Sequence, residues 1–143
     1  MKKQSIVELL HNGGYSCVIQ KNTEVRTFRR RGVIDLYELY QSSPAFLCDA
    51  LVADKVIGKG AATLLVLGKI SYLHADVIST PALALLRQAH ISTDFDIEVP
   101  FIINRKKNGR CPLETACDGI NTPEAIYPVI QDFVTRSLHS NKM

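Results

Sequence analysis

Apolar residues recur along this chain with different spacings, and each spacing predicts a different element. In residues 4–11, QSIVELLH, Ile6, Val7, Leu9 and Leu10 fall on one helical stripe, and Asn12-Gly13-Gly14 ends it with residues that tolerate left-handed geometry. Tyr15, Cys17 and Ile19 then alternate with Ser16, Val18 and Gln20. The run breaks at Lys21-Asn22-Thr23, and Val25, Thr27 and Arg29 resume a period of two, which predicts a hairpin. After Gly32, VIDLYELY places Ile34, Leu36, Tyr37 and Tyr40 at threes and fours, a second short helix halted by Ser42-Ser43-Pro44.

The run Ala45 to Ala53, AFLCDALVA, is short and nearly all apolar, which predicts a central strand covered on both faces and closed by Asp54-Lys55. VIGKGAATLLVL is expected to continue as a helix whose Gly58, Gly60, Ala61 and Ala62 form a small-residue surface. A glycine inside a helix costs about 0.8–1.0 kcal/mol relative to alanine, so the two imply close packing or a ligand. SYLHADVIS predicts a strand ending at Ser79, and Thr80-Pro81 opens the helix PALALLRQAH. A third strand region follows from Ile91, running through Ile97 or resuming from Val99 to Ile103, before a polar turn from Asn104 to Gly109. CPLETACDG reads as a short helix or turn with Pro112 first. TPEAIYPVIQDFVTRSL reads as a terminal helix in which Pro128 predicts a kink or interruption, with fraying expected from His139 to Met143. This order predicts one α/β domain over residues 1–143, a mixed sheet of about five strands flanked by helices, with its central strands parallel. Ligands in such sheets sit beyond the carboxyl ends of the strands. Two segments meet that description: Ala53-Asp54-Lys55 with Lys59, and Ile78-Ser79-Thr80-Pro81.

Composition narrows the classes. The chain has 143 residues, 46% hydrophobic and 22% charged, enough for a core that needs neither metal nor disulfide staples. The longest apolar stretch, Ala61 to Leu67, falls far short of the roughly 20 residues that span a bilayer, so no membrane partner is expected. The start, MKKQSIVELLHNGGYS, sets Glu8 and His11 where a signal peptide is apolar, and a cytoplasmic location is expected. Seventeen Lys and Arg against fourteen Asp and Glu give +3 and a pI near 8.7, concentrated at Arg29-Arg30-Arg31 and Arg105-Lys106-Lys107. Without tryptophan and without a dense basic face this is no strong nucleic-acid signal; solvated turns or an anionic small ligand account for it. Four cysteines, Cys17, Cys48, Cys111 and Cys117, contain no CxxC pair and are expected as free, mostly buried thiols.

Candidate chemistry gathers at the predicted helix starts. With the helix opening after Asp54, Lys55 and Lys59 at i and i+4 share a face where helix amides add positive charge, an arrangement that welcomes an anion. Asp54 caps that helix, pairs with a lysine, or exchanges a ligand proton; Ser79 and Thr80 cap the next helix or bind a ligand. Cys111 precedes Pro112 at a helix start beside Arg110, a setting that lowers a thiol pKa and makes it a candidate nucleophile, although packing beneath the turn explains it equally. Glu114 fits a capping role, and Asn104-Arg105 at a strand end suits a carboxylate, phosphate or base edge. The GKG at 58–60 is not a phosphate loop, since Ala53 and Gly60 stand where glycine and Ser/Thr are required. GxSxG and HExxH are absent. Cys48, His74, Cys111 and Cys117 match no standard zinc spacing, so no metal or other cofactor is expected.

LVADKVIGKGAATLLVL, YLHADVISTPALALL and VPFIINRKKNGRCPLETA together resemble a bacterial and archaeal domain-of-unknown-function family whose fold is similar to cytidine deaminases. The resemblance covers the chain from about Tyr15 to the terminal helix and implies a three-layer deaminase-like α/β fold. Zinc deaminases carry H-x-E followed by P-C-x-x-C, three metal ligands and a proton-shuttling glutamate. This chain has Asp54-Lys55 and Ser79-Thr80-Pro81-Ala82-Leu83 at the corresponding helix starts, so ordinary zinc deamination is not expected. His74-Ala75-Asp76 imitates H-x-E but falls in a strand with no cysteine pair behind it, and reads as coincidence. Two readings follow. One is a metal-independent enzyme acting on a nucleoside-like or other anionic small molecule, with Asp54 as acid or base, Lys55 and Lys59 as anion binders, and Cys111 or Ser79 as nucleophile. The other is a non-catalytic ligand-binding or sensing module. Homo-oligomer assembly through the small-residue helix is a further expectation.

Overall fold

A computed structural model describes residues 2–30, 32–103 and 109–141. Helix α1 (Lys2–Asn12) leads into the hairpin β1 (Cys17–Lys21) and β2 (Glu24–Phe28), followed by α2 (Ile34–Ser42) and the short α3 (Pro44–Leu47). Three β-strands then alternate with helices: β3 (Leu51–Ile57), α4 (Lys59–Gly68), β4 (Tyr72–Ser79), α5 (Thr80–Gln88) and β5 (Ser92–Val99). The chain closes with α6 (Pro112–Ala116) and α7 (Pro123–Asn141). The strands form one mixed five-stranded sheet in the order β2-β1-β3-β4-β5, with β1 antiparallel to both neighbours and β3, β4 and β5 mutually parallel.

The sheet is covered unequally. On one face, Ile19, Val52, Ile57, Leu73, Ala75 and Ile78 pack with Leu64, Leu65, Leu83, Leu86, Ile126 and Ile130 in the main core. On the other, α1 lays Ile6 and Leu10 over Val18 and Ala53, a small cluster confined to β1 and β3. Burying each of the Val, Leu and Ile side chains among these contributes about 1.5–3 kcal/mol. Among the described residues no helix is long and apolar enough to cross a membrane.

The expected strand over Ala45 to Ala53 is displaced. Pro44 starts a helical turn instead, Asp49 takes a left-handed φ of 63°, and the strand begins only at Leu51. Lys21 Nζ satisfies the turn by donating to the carbonyls of Ala45 (2.5 Å) and Cys48 (2.9 Å). A short apolar run carries no internal mark separating buried helix from buried strand. The strand consequently extends through Asp54 and Lys55 to Ile57, and the next helix starts at Lys59 rather than Val56.

Of the two glycines expected inside this helix, Gly58 lies just before it at the cap and only Gly60 is helical; Gly60 and the last residue, Gly68, both answer to packing. A Cβ on Gly60 would stand 2.5 Å from Leu113 Cδ2, and one on Gly68 would stand 2.8 Å from Leu47 Cβ. Residues Lys59 to Leu65 are buried and α4 is packed by α2, α3, α5, α6 and α7, so its small-residue surface meets this chain's own helices and is no free interface for a second copy. The third strand region ends at Val99; Ile103 makes only an isolated bridge to Arg110. Helix α7 carries Pro128 inside it without interruption and reaches Asn141, and Lys142 and Met143 lie outside the described residues.

Candidate functional site

The strand-to-helix turns after β3 and β4 stand side by side, because Ile57 pairs with Ile78 in parallel register. Between them and the start of α7 opens a hollow of about 120 Å³ lined by Lys59, Pro81, Ala84, Leu85, Gln88 and Asn121. Gly58 takes the cap position of α4 in an extended conformation and supplies no side chain. Glu114 caps the helix from α6: Oε2 accepts from Lys59 N at 2.6 Å, while Oε1 accepts from Ile102 N at 3.0 Å. A Cβ at position 58 would lie 3.0 Å from Glu114 Oε2, which explains the glycine. Lys59 itself is 6% exposed, and its Nζ donates to the Cys117 carbonyl at 2.8 Å.

Several sequence expectations change in this setting. Lys55 lies within β3 and is exposed, so it shares no helical face with Lys59. Asp54 is likewise a strand residue and caps no helix. Its Oδ1 accepts from Val56 N at 3.1 Å, and it stands opposite Cys17 on β1. Burial, tempered by bonds from Val56 and Cys17, pushes the Asp54 carboxyl up to about 7. The same enclosure, together with the nearby Asp54 charge, raises the Cys17 thiol.

Ser79 is buried and its Oγ accepts from Ala82 N at 3.3 Å, the capping alternative at that position. Thr80 is turned away to Glu98, donating to its Oε2 at 2.8 Å. Glu114 does cap, but the helix it caps is α4 and not its own. Cys111 takes the cap position of the five-residue α6 with no side-chain cap bond. The adjacent Arg110 is occupied by a two-point pair with Asp118 at 2.8 and 3.0 Å and brings no free charge to the thiol. Burial pushes Cys117 up to about 11 despite the nearby Lys59 charge. Asn104 and Arg105 lie outside the described residues. Arg30 of the first basic cluster pairs with Asp35 and Glu38, each at 2.5 Å, which leaves little of that charge for a ligand.

The structure thus brings Lys59 and Pro81 to one hollow and ties Glu114 to the Lys59 amide, while Asp54, Lys55, Ser79 and Thr80 lie outside its lining. Sequence reasoning missed the Glu114 link, which spans 55 positions. It also missed His11, which meets His74 and Asp76 on the opposite face of the sheet. Only the alternation of His74 and Asp76 along one strand could have hinted at that cluster. Cys48, His74, Cys111 and Cys117 form no ligand group among the described residues.

No curated protein matches the chain. Among solved structures, a DUF1893 family protein, TM1506 from Thermotoga maritima, is 26% identical, covers 90% of this chain and 87% of its own, and superposes with a TM-score of 0.84. Acinetobacter baumannii RibD overlaps 66% of this chain and 34% of its own at 17% identity, with a TM-score of 0.41, too loose a likeness to bear on chemistry. The family model of the TM1506 domain of unknown function matches residues 5–134, and the chain belongs to this DUF1893 family.

Proposed function

We propose that the protein is a non-catalytic module that binds a compact anionic ligand, of phosphate or carboxylate size, in the hollow between α4 and α5. The observation that carries this reading is Lys59, a buried ammonium whose one hydrogen bond among the described residues goes to the Cys117 carbonyl. An ammonium has three donors, so two remain for a ligand. Gln88 and Asn121 add amide groups to the same lining. A hollow of about 120 Å³ is well below the roughly 300–1,000 Å³ of pockets that enclose a drug-sized molecule, which favours a small anion over a whole nucleoside.

The competing enzyme reading rests on Asp54, whose carboxyl at about 7 suits proton transfer near neutral pH. Asp54 is not among the residues lining the hollow, and neither Cys111 nor Ser79 lines it. The binding reading therefore accounts for more of the geometry.

Calorimetric titration with inorganic phosphate, acetate and uridine tests it. Phosphate or acetate is expected to bind, uridine is not, and Lys59→Met and Gln88→Glu should each weaken the anion at least ~10-fold, about 1.4 kcal/mol. Gln88 is exposed, so its variant keeps the test valid if Lys59→Met unfolds. Absence of anion binding, or binding unchanged in Gln88→Glu, overturns the proposal.

A further inference from the structure

We propose that His11, His74 and Asp76 form a binding site for one first-row divalent transition ion of the Zn²⁺ class, on the sheet face that α1 covers only in part. His74 and Asp76 are two apart on β4, and His11 arrives from the last turn of α1. Their ligand atoms all lie within 4.8 Å of one another. His11 Nε2 stands 2.9 Å from both Asp76 oxygens, and His74 Nε2 stands 3.0 Å from Oδ1. A tetrahedral ion with bonds near 2.0–2.1 Å holds its ligand atoms roughly 3.3 Å apart, so each imidazole needs to open from Asp76 by about 0.3–0.4 Å, and the two imidazole nitrogens, within 4.8 Å of each other, need to settle at that same spacing.

The donor set selects the ion. Two imidazole nitrogens and a carboxylate suit Zn²⁺, Fe²⁺, Co²⁺ or Ni²⁺, whereas Ca²⁺ and Mg²⁺ require oxygen donors throughout. The two rings lie 6.4 Å apart and nearly perpendicular, at 82°, so both nitrogens reach a common point without the rings colliding. The carbonyl end of α1 carries partial negative charge and favours a cation beside His11. Gly14, with φ of 68°, then turns the chain from that helix end towards β1.

Exposure grades across the cluster. The His74 side chain is 11% exposed, Asp76 24% and His11 46%, which describes a fixed floor with an open mouth. Three protein ligands leave a position for water or an incoming donor, as in exchangeable sites rather than closed structural ones. None of the three residues lines the hollow at Lys59, so this inference stands independently of anion binding.

The full chain, stripped of metal, is titrated with Zn²⁺ near neutral pH, and Ni²⁺ is used to broaden nearby amide resonances. One Zn²⁺ per chain is expected, with affinity lowered at least ~10-fold in both His11→Ala and Asp76→Asn. Broadening should centre on His11 and β4. The exposed His11 makes its variant the one expected to keep the fold if Asp76→Asn loses it. Unchanged Zn²⁺ affinity in His11→Ala overturns the site, as does broadening centred on Cys111 and Cys117, or the absence of binding, which leaves a metal-free His-carboxylate-His network.

Discussion

On the face of the sheet beneath α4 to α7, every buried polar side chain among the described residues bonds to backbone. Lys59 donates to the Cys117 carbonyl, Thr63 to the Lys59 carbonyl, Ser79 accepts from the Ala82 amide, and Glu114 accepts from the Lys59 and Ile102 amides. On the α1 face the buried His74 bonds instead to a side chain, Asp76, which it shares with His11. The difference separates two uses of polarity. A side chain committed to backbone completes secondary structure, and Ser79 or Glu114 cannot leave without stranding the amides they accept from. A side chain committed to another side chain can exchange that partner for a ligand while the backbone stays satisfied.

The sharpest break of this comparison is Glu114→Ala, which strands the amides of Lys59 and Ile102. Its expected cost is roughly 3–5 kcal/mol, read from the midpoint of urea unfolding. A loss below about 1 kcal/mol would place the two faces on equal footing.

Next in size is a pH effect at Asp54, on the helix-covered side. Its folded pKa of about 7 lies above the ordinary aspartate value of 3.8, so the folded state holds the proton longer than the unfolded chain. Stability should therefore fall as pH rises between those values and stay low above about 7. At about 1.36 kcal/mol per unit the full loss is at most on the order of 4 kcal/mol, less what solvent at this half-buried position screens. Asp54→Asn, which keeps an oxygen for the Val56 amide, should flatten the profile and be the more stable protein at pH 8; parallel thermal melts across pH would expose a persisting slope.

Gly60→Ala should cost about 1–3 kcal/mol, because its Cβ would meet Leu113 Cδ2 at 2.5 Å. Restoring stability with Leu113→Ala in the same chain would identify the cause as the shared contact. The smallest effect is on the α1 face, where metal-free His11→Ala should change stability by less than about 1 kcal/mol, because His11 is half exposed and its link to Asp76 meets solvent. A loss comparable to that of Glu114→Ala would make His11 a structural clamp.

Local pattern accounts for what was legible beforehand. The period-two hairpin, the apolar strand ending at Ser79 and the Ser-Thr-Pro opening of α5 each announce themselves within ten residues, and the parallel order of β3 to β5 follows from the helices between them. The Ala45–Ala53 run misleads because the turn at its start is stabilised by Lys21, a residue of β1 whose reach no local window contains. That displacement carried Asp54 and Lys55 out of the predicted helix start and left Lys59 alone of the three at the hollow. Glu114 to Lys59 and His11 to His74 are likewise meetings of distant segments, created when the sheet assembles.

Strand β5 closes one side of the sheet with no neighbouring strand beyond it among the described residues, and Asp94, Asp96 and Glu98 stand exposed along its length. Two such borders brought together would align carboxylates against carboxylates, so fibril-like growth by strand addition is discouraged at neutral pH. Acidification would relax that repulsion, making the border a pH-gated liability during purification or storage.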